Sequence, residues 1–247
     1  MLLFDFDGVL MDSLDEVVVN TYGLVTDHLC LSLDEIPSIY CEQFRKYRYM
    51  VQPAGDFIPF ARWCLQCSRD KELRSIDLDS FRNLLAAEPE PLKLRSKRFF
   101  AVRHKRIEVD RVQWLNLHKP YEPLWSVIRS LSPAEVVILT NKNKEAVMLL
   151  GEHYGVRFDE TNIYAAEGGN TKLDNFTLIE KRYGKRRYTF IDDSILNLLE
   201  MKQLLTSEQL EPLLATWGYV GPDDRKNAFD NEIAPVEQVD IIKKLRT

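Results

Sequence analysis

The chain has 247 residues, long for one average domain and short for two, so a single core carrying a sizeable insertion is the expected plan. A content of 45% hydrophobic and 29% charged residues excludes a disordered chain, and 10 Gly with 11 Pro exclude a collagen-like or linker composition. The net charge of -5 argues against a surface given over to nucleic acid.

Taken in chain order, Leu2 to Phe6 is an apolar run broken only by Asp5 that flows into Asp7-Gly8-Val9-Leu10, the pattern of a buried strand stopping in a turn. The opening meets a carboxylate at once and has no basic leader, and no apolar run is long enough to span a bilayer, so a cytoplasmic protein without membrane contact is expected. Ser13-Leu14-Asp15-Glu16 has the form of a capping box and announces a helix. From there to Trp114 the apolar spacing is helical, over Ile39 to Val51, Phe57 to Cys67 and Phe81 to Ala87, with prolines between. This predicts a mostly helical module at 16–117, inserted in an α/β core formed by 1–15 and 118–247. Within the module, Lys93 to Arg111 carries eight basic residues against Glu108 and Asp110. That run reads either as the solvated face of a long helix or as a patch for an anionic ligand, nucleic acid included. Cys64 and Cys67 would share one helical face; with no second such pair or spaced histidines in the chain, they read as core thiols and not a zinc site.

After Lys119-Pro120 strands and helices alternate: helix Leu124 to Leu131, strand Glu135 to Leu139 ending at Thr140-Asn141, and helix Lys144 to Tyr154 closed by Gly155. A weaker strand Asn162 to Ala166 follows, then helix Leu173 to Tyr183, strand Tyr188 to Ile191 delivering Asp192-Asp193, strand Leu214 to Tyr219 and helix Val239 to Leu245. Such alternation predicts an α/β fold with a doubly wound parallel sheet.

In open parallel sheets ligands bind beyond the carboxyl ends of the strands. Standing there are Asp5 and Asp7, Thr140 and Asn141, Asp192 and Asp193, with Lys172 just past the weaker strand. Asp5 and Asp7, two apart, project to one side of an extended strand, and the turn at Gly8 can re-aim the second. One carboxylate can attack phosphorus while the other serves as acid or base, which splits a hard hydrolysis into two easier steps. Clustered carboxylates repel one another, and a hard cation such as Mg2+ relieves this. A threonine hydroxyl and a lysine ammonium suit a phosphoryl group.

The segment Phe4-Asp5-Phe6-Asp7-Gly8-Val9-Leu10-Met11-Asp12-Ser13 resembles the first motif of the haloacid dehalogenase superfamily, in its phosphatase branch. Val137-Ile138-Leu139-Thr140-Asn141-Lys142 resembles the second motif, Lys172 the third, and Phe190-Ile191-Asp192-Asp193-Ser194 the fourth. The helical insertion resembles that family's C1 cap, and Leu139 to Lys142 with Thr216-Trp217-Gly218-Tyr219 is most similar to phosphoglycolate phosphatase-like members. The resemblance implies a Rossmann-like core, Asp5 as nucleophile and Asp7 as general acid and base. It also implies Mg2+ held by Asp5, the backbone carbonyl of Asp7, Asp192 and Asp193. Thr140 and Lys172 would bind the phosphoryl group, with Asn141 beside them. The family's Lys-Pro is here Lys172-Leu173, which leaves Lys142 and Lys144 as alternatives for the lysine, and Asn197 stands where a further carboxylate is common. Arg45 and Arg48 are candidates for reading an anionic substrate.

The implied function is a Mg2+-dependent phosphohydrolase acting on a small phosphorylated metabolite through an aspartyl phosphate. The alternatives are a phosphomutase of the same family, or a nucleic-acid or phospho-ligand binding protein using the 93–111 run. The sequence does not speak to the oligomeric state.

Overall fold

A computed structural model describes residues 1–30, 32–166 and 170–246. The chain forms two compact units, 1–12 with 119–247, and 13–118.

The first unit is built on a six-stranded sheet. Its strands are β1 (Leu2–Phe4), β4 (Val137–Thr140), β5 (Ile163–Ala165), β6 (Tyr188–Asp192), β7 (Leu210–Ala215) and β8 (Ala234–Val236); β2 (Met11–Asp12) and β3 (Lys119–Pro120) form a separate antiparallel pair. The order across the sheet is β5-β4-β1-β6-β7-β8, and every pairing within it is parallel. The doubly wound α/β sheet read from the sequence is therefore present. The chain runs outward from β1 through β4 to β5, then returns to β6 on the other side of β1. The reversal lies at β1 and β6, the switch point where ligands collect in such sheets.

β4 and β6 are buried along their whole length. Strands covered on both faces read as unbroken apolar runs, which is why these two were visible in the sequence. On one face Leu3, Val137, Leu139, Phe190 and Leu214 pack with Phe176 and Ile179 of helix Lys172–Tyr183 and Leu198 and Met201 of helix Ile195–Leu204. Each such side chain contributes about 1.5–3 kcal/mol on full burial. Phe6, Trp125 and Phe158 meet edge to edge or edge to face in another cluster, with ring centroids 5.9–6.3 Å apart.

Two expectations for this unit need correction. The strand expected at Leu214 to Tyr219 is β7, Leu210–Ala215, whose apolar run is interrupted by Glu211 and Pro212. Residues 216–219 are instead a loop, and β8, a short and largely exposed edge strand containing Pro235, follows at the sheet margin. The first strand also stops at Phe4, although the Asp5 amide still donates to the Ile191 carbonyl at 2.9 Å.

The 13–118 unit is helical, with helices Leu14–Thr26, Ser38–Tyr47, Phe57–Arg69, Leu78–Ala86, Leu92–Val109 and Arg111–Asn116. Its core is aromatic: Phe44, Phe57, Phe60, Trp63, Phe81 and Phe99 are buried together, and Phe57 stacks on both Phe44 and Phe99 at 5.9 and 5.4 Å. The capping box expected at Ser13 does not form. Ser13 is the N-cap, but its side chain makes no capping bond, and the carboxylate of the fully buried Glu16 is taken by Arg103.

The basic run is divided: Lys93, Lys97, Arg98, Lys105 and Arg111 form an exposed face of the helical segment, whereas Arg95, Arg103 and Arg106 are buried. Arg103 donates Nε and Nη2 to the two oxygens of Glu16, each at 2.9 Å, and Trp114 Nε1 adds a third bond to Glu16. Arg95 pairs with Asp56 at 2.8 Å and with the Gly55 carbonyl, and Arg106 donates to the Val19 carbonyl. Cys64 and Cys67 are buried free thiols, as expected for core positions.

Candidate active site

Asp5 follows β1, Thr140 ends β4 and Asp192 ends β6, so three adjacent strands deliver polar groups to one end of the sheet. Asp5, Asp192 and Asp193 are all buried, and one oxygen from each lies within 4.8 Å of the others. Among the described residues this is the one cluster of acidic, histidine or cysteine groups able to hold a metal ion.

Each carboxylate is aimed by its neighbours. The Phe6 amide donates to Asp5 Oδ1 at 2.7 Å, and Lys172 Nζ lies 3.1 Å from Asp5 Oδ2. Lys172 Nζ also donates to Asp192 Oδ2 at 2.5 Å, where Asn197 Nδ2 adds a bond at 3.0 Å, while the Ser194 amide holds Asp192 Oδ1 at 2.9 Å. Asp193 Oδ2 accepts from the Tyr219 amide at 2.5 Å.

Burial pushes the Asp5 carboxyl up to about 6, against the pull of Lys172 and a hydrogen bond with Thr140, with Asp192 and Asp7 adding to the rise. Burial works against the Lys172 ammonium, yet Asp192 and Asp5 together hold it above the usual lysine range. The pair is thus a charged lysine between two carboxylates that crowd each other. Lys172 opens helix Lys172–Tyr183, whose start is fixed by a true capping box between Thr171 and Asp174. That box is the local reason the chain follows Lys172 with Leu173-Asp174.

Asp7 stands apart. Its carboxylate is absent from the acidic cluster and accepts from Lys142 Nζ at 2.9 Å. Lys142, two residues past the end of β4, has a fully buried side chain, and its amide donates to Thr140 Oγ1 at 3.1 Å. Asn141, between them, is half-buried, and Lys144 begins helix Lys144–His153. Arg45 and Arg48 belong to the 13–118 unit. Arg45 pairs with Asp15 at 2.7 Å; Arg48 donates to the Val51 carbonyl at 2.7 Å and lies over the Phe57 ring.

The loop after β7 is a part of the site that strand reading obscured. Gly8 has φ +85°, and a Cβ there would lie 2.0 Å from Asp193 Oδ2. A Cβ on Gly218 would lie 2.2 Å from the Gly8 carbonyl oxygen and 2.5 Å from Asp193 Cβ. Two glycines thus let the turn after β1 and the loop after β7 close on Asp193 from both sides. Trp217 Nε1 donating to the Val9 carbonyl and Tyr219 Oη to Asp12 tie the same two segments together. The signal was the glycine in Thr216-Trp217-Gly218-Tyr219, legible as a close-approach position had the segment been read as a loop.

The sequence profile of the haloacid dehalogenase-like hydrolases matches residues 1–204, and the chain belongs to that family. No curated protein matches the sequence. Among solved structures, a protein described as a phosphatase from Clostridium acetobutylicum is 18% identical with a TM-score of 0.56, over 98% of this chain and 95% of that one. One assigned as a phosphoglycolate phosphatase from Lactobacillus delbrueckii subsp. bulgaricus is 15% identical with a TM-score of 0.58, over 99% and 97%. A third, described as a phosphatase from Clostridium difficile, is 14% identical with a TM-score of 0.53, over 99% and 96%. At these identities the likeness is one of fold. No helix among the described residues is long and apolar enough to cross a membrane.

Proposed function

We propose that the chain is a phosphohydrolase acting on a small phosphorylated metabolite, with Asp5 as the nucleophile that carries the phosphoryl group between two half-reactions. The observation that carries this reading is the separation of the carboxylates: Asp5, Asp192 and Asp193 gathered within 4.8 Å, and Asp7 held outside them by Lys142. Three buried carboxylates against the single ammonium of Lys172 leave an excess of negative charge, and oxygen donors in that number suit Mg2+. Bound there, Mg2+ would neutralise the cluster and draw charge from a phosphoryl oxygen.

The chain's own groups supply the rest. Lys172 Nζ meets Asp5 at Oδ2 and Thr140 hydrogen-bonds the same carboxyl, and these two donors suit the equatorial oxygens of a transferring phosphoryl group. Asp5 attacks phosphorus as the bond to the leaving oxygen breaks, and Asp7 gives that oxygen a proton. Asp7 then takes a proton from the water that cleaves the acyl phosphate. Asp193 and Asp192 are fixed by backbone amides, so neither has to reorganise during the cycle. The helical unit is read as a cap that selects the substrate, with Arg45 and Arg48 as its anion-reading candidates.

The test is phosphate release from p-nitrophenyl phosphate and from a panel of phosphorylated metabolites, with Mg2+, with EDTA, and with Asp5→Asn. The expected result is turnover that requires Mg2+ and is lost in Asp5→Asn. Absence of turnover by folded, Mg2+-loaded protein would overturn the reading. Phosphoryl transfer between sugar phosphates without net phosphate release would move it to a mutase.

A further inference from the structure

Lys142 is a buried cation that takes part in none of the steps above. Its side chain has no exposed surface, whereas its partner Asp7 keeps 19% of its own. A lysine ammonium is costly to bury, and a carboxyl group accepting its hydrogen bond at close range offsets part of that cost. Here that carboxylate comes from a residue 135 positions away in sequence, reached across the β1–β4 pairing. The site thus holds two lysines with different clients: Lys172 bridges Asp5 and Asp192, and Lys142 holds Asp7.

We infer that Lys142 is a positioning residue for proton transfer by Asp7, and not a ligand of the phosphoryl group. The inference rests on the phosphohydrolase reading and on Asp7 as its acid and base. An ammonium has three donors and no acceptor, so Asp7 Oδ1 is committed as an acceptor. The proton exchanged with the leaving oxygen is then carried on Oδ2. With Oδ1 pinned at 2.9 Å, rotation of the carboxyl group about its bond to Cβ is restricted, and Oδ2 is presented in one direction. In the first half-reaction the Asp5–phosphorus bond forms, the bond from phosphorus to the leaving oxygen breaks, and the proton moves from Asp7 Oδ2 to that oxygen. Lys142 makes and breaks no bond in this step. Its burial also keeps it from trailing into solvent, since its amide is tied to Thr140 and its ammonium lies over the Phe6 ring, 6.0 Å from the centroid.

A positioning role predicts a dependence on leaving group that a phosphate-binding role does not. A p-nitrophenolate leaves with little help from a proton, whereas an alkoxide needs one. The experiment compares kcat and KM for p-nitrophenyl phosphate and for glycerol phosphate, or the fastest alkyl phosphate of the panel, in wild type, Lys142→Met, Lys142→Arg, Asp7→Asn and the double variant Asp7→Asn/Lys142→Met. Lys142→Met is expected to lose about 100-fold in kcat on the alkyl ester, with less than about 10-fold loss on the aryl ester and KM values within about 3-fold. Lys142→Arg should recover part of the alkyl activity. In the double variant the alkyl-to-aryl ratio should be no worse than in Asp7→Asn alone, because the two residues act as one device.

Equal losses on the two esters, or a rise in KM as the main effect, would overturn the inference and make Lys142 a phosphoryl ligand. Additive effects in the double variant would overturn it as well. If Lys142→Met fails to fold, Lys142→Arg decides by the same ratio: a selective loss on the alkyl ester supports the inference and an even loss sinks it. Wild-type protein that turns over neither ester with Mg2+ present would sink the phosphohydrolase reading itself, an outcome distinct from all of these.

Discussion

Both units of the molecule bury charges, and they do so on opposite terms. In the 13–118 unit each buried acid has its own guanidinium: Glu16 takes two bonds from Arg103 and a third from Trp114, and Asp56 takes one from Arg95. At the sheet end of the other unit, Asp5 and Asp192 share one ammonium, Lys172, with the Asp193 carboxylate gathered beside them. The first arrangement is closed, because each of these carboxylates faces a guanidinium of its own. The second is left short of positive charge, and burial drives Asp5 up to about 6 as a result. A balanced buried pair marks architecture; an unbalanced buried cluster marks a place prepared for a cation and an anion to arrive.

The sharpest way to break this contrast is to remove one member from each set. Asp5→Asn is expected to lower phosphate release at least ~1,000-fold while the protein stays folded, because the altered group is a reactant and not a support. Arg103→Ala should do the reverse, costing about 3–5 kcal/mol in urea unfolding by stranding Glu16 without its partner. If Arg103→Ala proves as stable as wild type, the helical unit's pairs are not the closed devices described.

Gly218→Ala comes next in size. The added methyl would press on the Gly8 carbonyl and on Asp193, so Mg2+ affinity, read from the metal dependence of turnover, should weaken about 10–100-fold. A smaller effect concerns pH. Asp5 binds its proton more tightly folded than unfolded, so the metal-free protein loses stability as pH rises from the ordinary carboxylate range through about 6. Mg2+ competes with that proton. Its increment to the melting temperature should therefore be small near about pH 5 and larger near about pH 7, and an increment that shrinks over that interval would contradict the assignment. The smallest expected effect is at the cysteines. Burial raises the Cys64 thiol and takes Cys67 to about 11, so iodoacetamide at about pH 8 should alkylate the native chain at least ~10-fold more slowly than a free thiol.

How much of this was legible in the sequence follows from which interactions are local. β1, β4 and β6 showed as apolar runs because burial on both faces is written in consecutive residues, and the polar groups they deliver stood out by contrast. Thr171 and Asp174 cap a helix within four residues, so that helix start is written locally. Lys142 could not be read at all as Asp7's partner, because a lysine after a strand is ordinarily solvated and its reason for burial lies 135 residues away. The arginines of helix Leu92–Val109 failed for the same reason, since Glu16 and Asp56 are distant in sequence. There a clue did exist: Arg95, Phe99, Arg103 and Arg106 recur at helical spacing with an aromatic among them, the mark of one inward stripe and not of a solvated run. β8 was missed because three residues, one of them Pro235, give no periodicity to detect.

The pairing of β2 with β3 has a consequence for how such a chain can change over time. Met11 lies opposite Pro120 and Asp12 opposite Lys119, so the chain departs for residues 13–118 and comes back at neighbouring points of one short ribbon. For the sheet, everything beyond that ribbon is a loop whose ends are already joined. The entropy of closing a loop grows only with the logarithm of its length, about 0.6 kcal/mol for each doubling. Lengthening, shortening or exchanging the inserted segment therefore presses little on the strands that hold Asp5 and Asp192. Selection can rewrite the segment between the two halves of the ribbon while the reactive end of the sheet stays as it is.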